Sequence, residues 1–158
     1  FSKNHQGQTK QELLDASKDS PFSGFNVYLR EKNINIPREG QGQIQGGRSQ
    51  LETGKSSKEY LEILLTQEEY QNESGQIPED WLTFFITYLK KTNQVINDYH
   101  GNGSFNSLIG SYHPVSECVP NALWNSVERH ATFYRSYSGF WDSGAGFRPV
   151  VRIPPLEG

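Results

Sequence analysis

The clearest pattern of apolar and polar positions lies between residues 78 and 100. Trp81, Phe85, Tyr88, Leu89, Thr92, Val95, Ile96 and Tyr99 recur at the three-and-four spacing of one helical face. Pro78 suits the first helical position, Glu79 and Asp80 suit the positive helix end, and His100-Gly101 supplies a stop. The pattern predicts one long helix across this stretch, its stripe forming core. A shorter stripe, Tyr60, Leu61, Leu64 and Leu65, follows Ser56 and Glu59, whose Ser-x-x-Glu spacing is that of a capping box. It predicts a second helix that ends by Gly75.

Elsewhere the pattern is β-like or absent. Residues 22–29 (FSGFNVYL) are aromatic, follow a Ser-Pro turn signal and predict the first strand. Residues 38–54 (REGQGQIQGGRSQLETG) carry five glycines and predict a flexible surface connection. No Gly-Lys-Ser/Thr follows a strand there, so a phosphate-binding loop is not indicated. After Gly101, turn signals recur at Gly103-Ser104, His113-Pro114, Val119-Pro120, Ser138-Gly139 and Ser143-Gly144. Between them residues 121–127, 130–137 and 147–153 are β-prone. Alternation in ATFYRSYS puts Thr132, Tyr134, Ser136 and Ser138 on one face, and Ala131, Phe133, Arg135 and Tyr137 on the other. A strand, then helices, then strands predicts an α+β fold. Residues 1–20 are polar and predict a flexible lead-in with one helical turn near residues 10–17. Residues 21–158 predict a single domain.

Composition adds constraints. Hydrophobic residues make up 34% of the 158, yet 13% are aromatic, so the core is built from few, large side chains. Fifteen basic and eighteen acidic residues leave no basic excess to draw nucleic acid. No apolar run is long enough for membrane insertion. The chain starts at Phe1 without any Met or visible signal peptide, and is expected to be a piece of a longer polypeptide.

Catalytic constellations are sparse. One cysteine, Cys118, excludes an internal disulfide and a multi-cysteine zinc site, and reads as a small buried hydrophobe. The four histidines, His5, His100, His113 and His130, lack His-x-x-x-His spacing, and no calcium loop is present. No metal and no cofactor is therefore expected. His113 and Cys118 are near enough in sequence to form a nucleophile pair. Glu117 and Glu128 are the candidate acid and base of a glycoside hydrolase. The plainer reading is turn residues and solvated charges.

The composition shifts along the chain. Residues 1–101 hold eight Lys and eleven Gln, whereas residues 102–153 hold neither. Residues 122–147 are instead dense in Tyr, Trp, Phe, Ser, Gly, Asn and Arg, the residues of binding surfaces. The candidate ligand-binding residues are Tyr112, His113, Ser116, Glu117, Asn121, Asn125, Glu128, His130, Tyr134, Ser136, Tyr137, Phe140 and Trp141.

The segment Gly146-Phe147-Arg148-Pro149-Val150-Val151-Arg152-Ile153 resembles the closing strand of the formylglycine-generating-enzyme/sulfatase-modifying type of C-type-lectin-like domain. The resemblance implies two helices packed on a small antiparallel sheet with long loops and hairpins, and a terminal strand paired beside the first. Enzymes of that family use paired cysteines or metal-binding histidines. This chain has neither, and it lacks the calcium motifs of the lectins, so the resemblance implies binding rather than catalysis. The order of a helical core, a Tyr/Ser/Asn-rich region and a final Gly-Phe-Arg strand also resembles variable proteins diversified by retroelements. There, randomised adenines in Asn codons never yield Lys, Gln, Glu, Met or Trp, which fits the loss of Lys and Gln and requires Glu117, Glu128, Trp124 and Trp141 to be fixed or otherwise encoded. The implied function is a receptor-like module presenting a variable region, residues 112–148, to a protein or glycan ligand, with an oligomer compatible. Surface display or phage association would suit it. Two alternatives are an oxidase of the formylglycine-generating type and a structural part of a phage or cell-surface assembly.

Overall fold

The computed structural model describes Asp15, Lys18 and residues 28–101, 103–111 and 117–152. In chain order its elements are β1 (Tyr28–Arg30), β2 (Ile44–Gln45), β3 (Arg48–Ser49), α1 (Ser57–Thr66), a 3-10 turn (Glu68–Tyr70), β4 (Ser74–Gly75), α2 (Pro78–Thr92), β5 (Phe105–Ser107), β6 (Cys118–Asn125), β7 (His130–Tyr137), β8 (Ala145–Gly146) and β9 (Pro149–Arg152). The fold is α+β. Three sheets have the strand orders β1-β9-β4, β2-β3 and β7-β6-β5-β8. The β5–β8 pair is parallel and the others are antiparallel. No helix among the described residues is long and apolar enough to cross a membrane.

β9 pairs with β1, as the resemblance implies, and lies in the middle of its sheet. Val151 faces Leu29 across β1, and Val150 faces Ser74 across β4. Residues 22–27 of the expected first strand, Ile153, and most of the expected helical turn at 10–17 lie outside the described residues. Gly75 of β4 lies against Gly110 in the turn after β5; a Cβ on either glycine would overlap the other's backbone. A side chain at either position would push that turn away from β4.

Both helices start where expected. Ser56 Oγ accepts from Glu59 N at 3.3 Å, and the Glu59 carboxylate accepts from Ser56 N at 2.7 Å. The Ser56 hydroxyl, which donates to the same carboxylate at 2.7 Å, and then the Ser56 N–H hold the Glu59 carboxyl below its ordinary pKa. At the head of α2 the Asp80 carboxylate accepts from Ile77 N at 3.1 Å. The first helix ends before Gly75, as expected; the end of α2 differs. The apolar stripe runs on to Tyr99, but α2 stops at Thr92 because Asn93 turns left-handed, φ 55°, with its N–H on Leu89 O. Ile96 is still buried with Trp81 and Phe85, so the stripe marks a common core and not a continuous helix.

The glycine-rich stretch 38–54 is likewise not a shapeless connection. It holds the β2–β3 hairpin, turned by Gly46 and Gly47 at φ 63° and 89°. The Glu52 carboxylate accepts from Gly40 N at 2.9 Å and Gly42 N at 2.6 Å, which holds its pKa below the ordinary value. Beside it Arg48 bonds Glu31 at 2.7 Å and also Glu73, while Arg148, almost fully buried, reaches Glu31 at 3.4 Å. Burial lowers Arg148 to about 10, with Glu31 opposing the fall. The cluster ties β3, β4 and β9 to the loop after β1, and sequence spacing gives no hint of it.

The core is aromatic. Trp81 stacks on Phe85 at 4.9 Å and donates its indole N–H to Asn97 Oδ1 at 2.9 Å. Tyr60 packs on Phe147 at 5.5 Å. The two helices thus fill different sides of the β5–β6 region, α1 with Val119 and Ile109, α2 with Ala122 and Leu108.

Candidate ligand-binding surface

The surface is built on the β6–β7 hairpin. The strands pair over their whole length, from Cys118 opposite Tyr137 to Asn125 opposite His130. Asn125 organises the connection: its Oδ1 accepts from Val127 N at 3.0 Å and Glu128 N at 3.1 Å, and its Nδ2 donates to the Glu128 carboxylate at 3.1 Å. Arg129 closes the turn in the left-handed region, φ 57°. At the other end Ser138 N donates to Glu117 O at 3.0 Å.

The two strands sit differently in the sheet. β6 is internal, covered by α2 on one face through Ala122 and Trp124; on the other face Val119 packs with the α1 core and Leu123 with Phe105 and Ala145. Among the described residues β7 has a neighbour on one side only, so it is an edge strand. The alternation read from the sequence is borne out by the register. Phe133, opposite Ala122, meets Trp81 edge-on at 5.2 Å, while Tyr134, opposite Asn121, meets Phe105 on the other face at 5.7 Å.

Five aromatic side chains within nine residues, Phe133, Tyr134, Tyr137, Phe140 and Trp141, are 36% to 59% exposed. Each of four is held by a specific contact. Phe133 and Tyr134 rest on buried rings as above. Lys58 Nζ lies 5.1 Å over the Tyr137 ring and donates to its hydroxyl at 3.3 Å. The Trp141 indole N–H donates to Gly54 O at 2.6 Å. Partial burial, with Tyr99 and Asp142 nearby, pushes the Tyr134 hydroxyl above the ordinary tyrosine pKa, so it remains a neutral donor.

The structure sorts the sequence candidates. Tyr134, Tyr137, Phe140 and Trp141 are exposed, as are His130 and Glu128, whose side chains approach to 3.4 Å, and Glu117. Asn125 serves the turn. Asn121 is corrected: it is fully buried, with Oδ1 accepting from Ser107 Oγ at 2.9 Å and Nδ2 donating to Ser136 Oγ at 2.8 Å. It is a strut beneath β7, because its strand is internal. Ser136 is half-buried as the other end of that strut. Tyr112, His113 and Ser116, and with them any His113–Cys118 pair, lie outside the described residues. Cys118 is half-buried, not fully enclosed. Glu117 and Glu128 flank opposite ends of β6, on the order of 25 Å apart at the usual strand rise. Glycosidase carboxylates stand about 5–10 Å apart, so these two are not such a pair. Phe133 was not among the sequence candidates. Alternation puts it on the helix side, but an edge strand leaves even that side partly open.

Among the described residues no group of three His, Cys, Asp or Glu is placed to hold a metal ion. The chain matches no family model, no curated protein and no solved structure.

Proposed function

We propose that the protein is a binding module whose contact surface is β7 together with the turn through Trp141, and whose ligand is another protein. The observation that carries this reading is the cluster of five half-exposed aromatics, four of them held in place by Trp81, Phe105, Lys58 and Gly54. Aromatics held in place lose little conformational freedom on binding, and exposed aromatics dominate interface energies. Two sides of the strand carry them, which suits the broad contact area of a protein better than a small sugar in a cleft.

A C-type-lectin-like fold is the architecture we infer, supported by the β1–β9 pairing of the first and last described strands, the two helices and the separate hairpin sheet. Diversification of the region by a retroelement is part of the same proposal. It is supported by the way exposed positions of β7 are separated from buried β6 positions, so that side chains can change without altering the core.

The test is an array of purified surface proteins and glycans probed with the intact chain and with a Tyr137→Ala/Trp141→Ala double variant. The reading expects protein spots bound by the parent and lost in the double variant at unchanged melting temperature. Binding that the double variant retains would overturn it, and binding confined to glycan spots would move the ligand to that class.

A further inference from the structure

We propose that the outer edge of β7 pairs antiparallel with β7 of a second copy, joining two hairpin sheets into one. The inference goes beyond the ligand reading and does not depend on it. Its starting point is the hydrogen-bond phase of the hairpin. The Ser138 N to Glu117 O bond makes 138 and 117 a hydrogen-bonded pair. Counting along the register, Ser136, Tyr134, Thr132 and His130 then point their backbone groups at β6. The bonds from Leu108 N to Pro120 O and from Trp124 N to Asn97 O agree, since even-numbered β6 residues point away from β7. The backbone groups of Ala131, Phe133, Arg135 and Tyr137 therefore point outward. Among the described residues these outward groups take no backbone partner, apart from Tyr137 O, which accepts from Phe140 N at 2.8 Å.

Such an edge accepts an extended strand and little else. Soluble proteins usually guard a long edge with Pro, charged side chains or a bulge. β7, HATFYRSY, is as long as any described strand, has no Pro, no Lys and no Gly, and carries one fixed charge, Arg135, which the pairing sets beside an aromatic ring. Its own sequence fits its own edge. Placing the two-fold axis at Tyr134 sets Ala131 opposite the partner's Tyr137 and Phe133 opposite the partner's Arg135, so every outward position is used. A guanidinium then lies beside an aromatic ring, a favourable cross-strand pair. Shifting the axis to Arg135 would oppose two arginines, and shifting it to Phe133 would leave Tyr137 facing Arg129. Edge pairing covers backbone and leaves both sheet faces open. It sets Tyr134 beside the partner's Tyr134, turning two narrow aromatic rows into one broad surface.

Sedimentation of the full chain without ligand, up to millimolar concentration, tests the pairing. Tyr134→Cys and Thr132→Cys, each in a Cys118→Ser background, test its register. Arg135→Pro removes an outward N–H and no bond to β6, which an edge strand tolerates. The expected result is a dimer weakened at least tenfold by Arg135→Pro, with an intermolecular disulfide forming at position 134 and not at 132. A monomer at every concentration, a dimer indifferent to Arg135→Pro, or cross-linking at 132 instead of 134 would overturn the proposal. If Arg135→Pro fails to fold, the cysteine pair alone decides. Because no ligand is present, failure here leaves the binding reading standing, and failure on the array leaves this one standing.

Discussion

β6 and β7 are strands of equal length in one hairpin, paired residue for residue, yet one is core and the other surface. β6, CVPNALWN, is covered on both faces and hides even Asn121 at its centre. β7, HATFYRSY, has both faces partly open and exposes even phenylalanine. What separates them is position in the sheet: an internal strand has layers above, below and on both sides, and an edge strand does not. Exposure here follows topology more than residue type. Binding surface and support can therefore sit one hydrogen-bond ladder apart.

The sharpest way to break that comparison is to cut matched contacts from each end. Trp81 and Phe133 share one edge-to-face contact. Trp81→Ala, on the core side, should cost about 3–5 kcal/mol in a urea melt. Phe133→Ala, on the β7 side, should cost about 1 kcal/mol, because much of its ring is already in water. Equal losses would mean that β7 is core. The next pair is Asn121 and Ser136, two ends of one hydrogen bond. Asn121→Ala strands Ser107 in a buried site and should cost about 1–3 kcal/mol, whereas Ser136→Ala should cost about 1 kcal/mol or less. Ser136 is thus more than an interchangeable surface serine. Tyr137→Ala, with its ring half in solvent and only an exposed lysine contact, should shift stability by about 0.5 kcal/mol or less.

The smallest expected effect concerns acid. In the folded chain the Glu52 carboxyl lies below its ordinary pKa because the N–H groups of Gly40 and Gly42 favour the ionised form. That contribution is present above the unfolded value of about 4.3 and is lost as pH falls through the folded value. Glu52→Gln should therefore lower stability slightly at neutral pH, leave it unchanged below the folded value, and so flatten the acid limb of the stability curve. An acid limb as steep as the parent's would assign the effect to other carboxyls.

Local chemistry was legible in the sequence, and sheet position was not. The Ser56–Glu59 box, the Pro78 start and the bounds of β7 follow from caps, turns and alternation, and each is in the structure. The end of α2 was misread because Ile96 keeps helical spacing after the helix has stopped; burial, not helicity, sets that spacing. The β2–β3 hairpin was missed because two-residue strands leave no alternation to find, although Gly46-Gly47 is its turn signal. Asn121 was placed on the surface because its composition suits a paratope, and only the strand order puts it inside. The Glu31–Arg48–Glu73–Arg148 cluster joins residues far apart in sequence, which no local pattern reveals.

The central claim is that β7 and its turn display side chains that β6 and the core do not depend on. Two displayed libraries test it most directly, scored by the fraction of members resisting protease. One randomises His130, Tyr134, Tyr137, Phe140 and Trp141; the other randomises Val119, Asn121, Ala122, Leu123 and Phe105. The account predicts that most of the first library folds and almost none of the second does. Equal fractions, or a first library as protease-sensitive as the second, would contradict it.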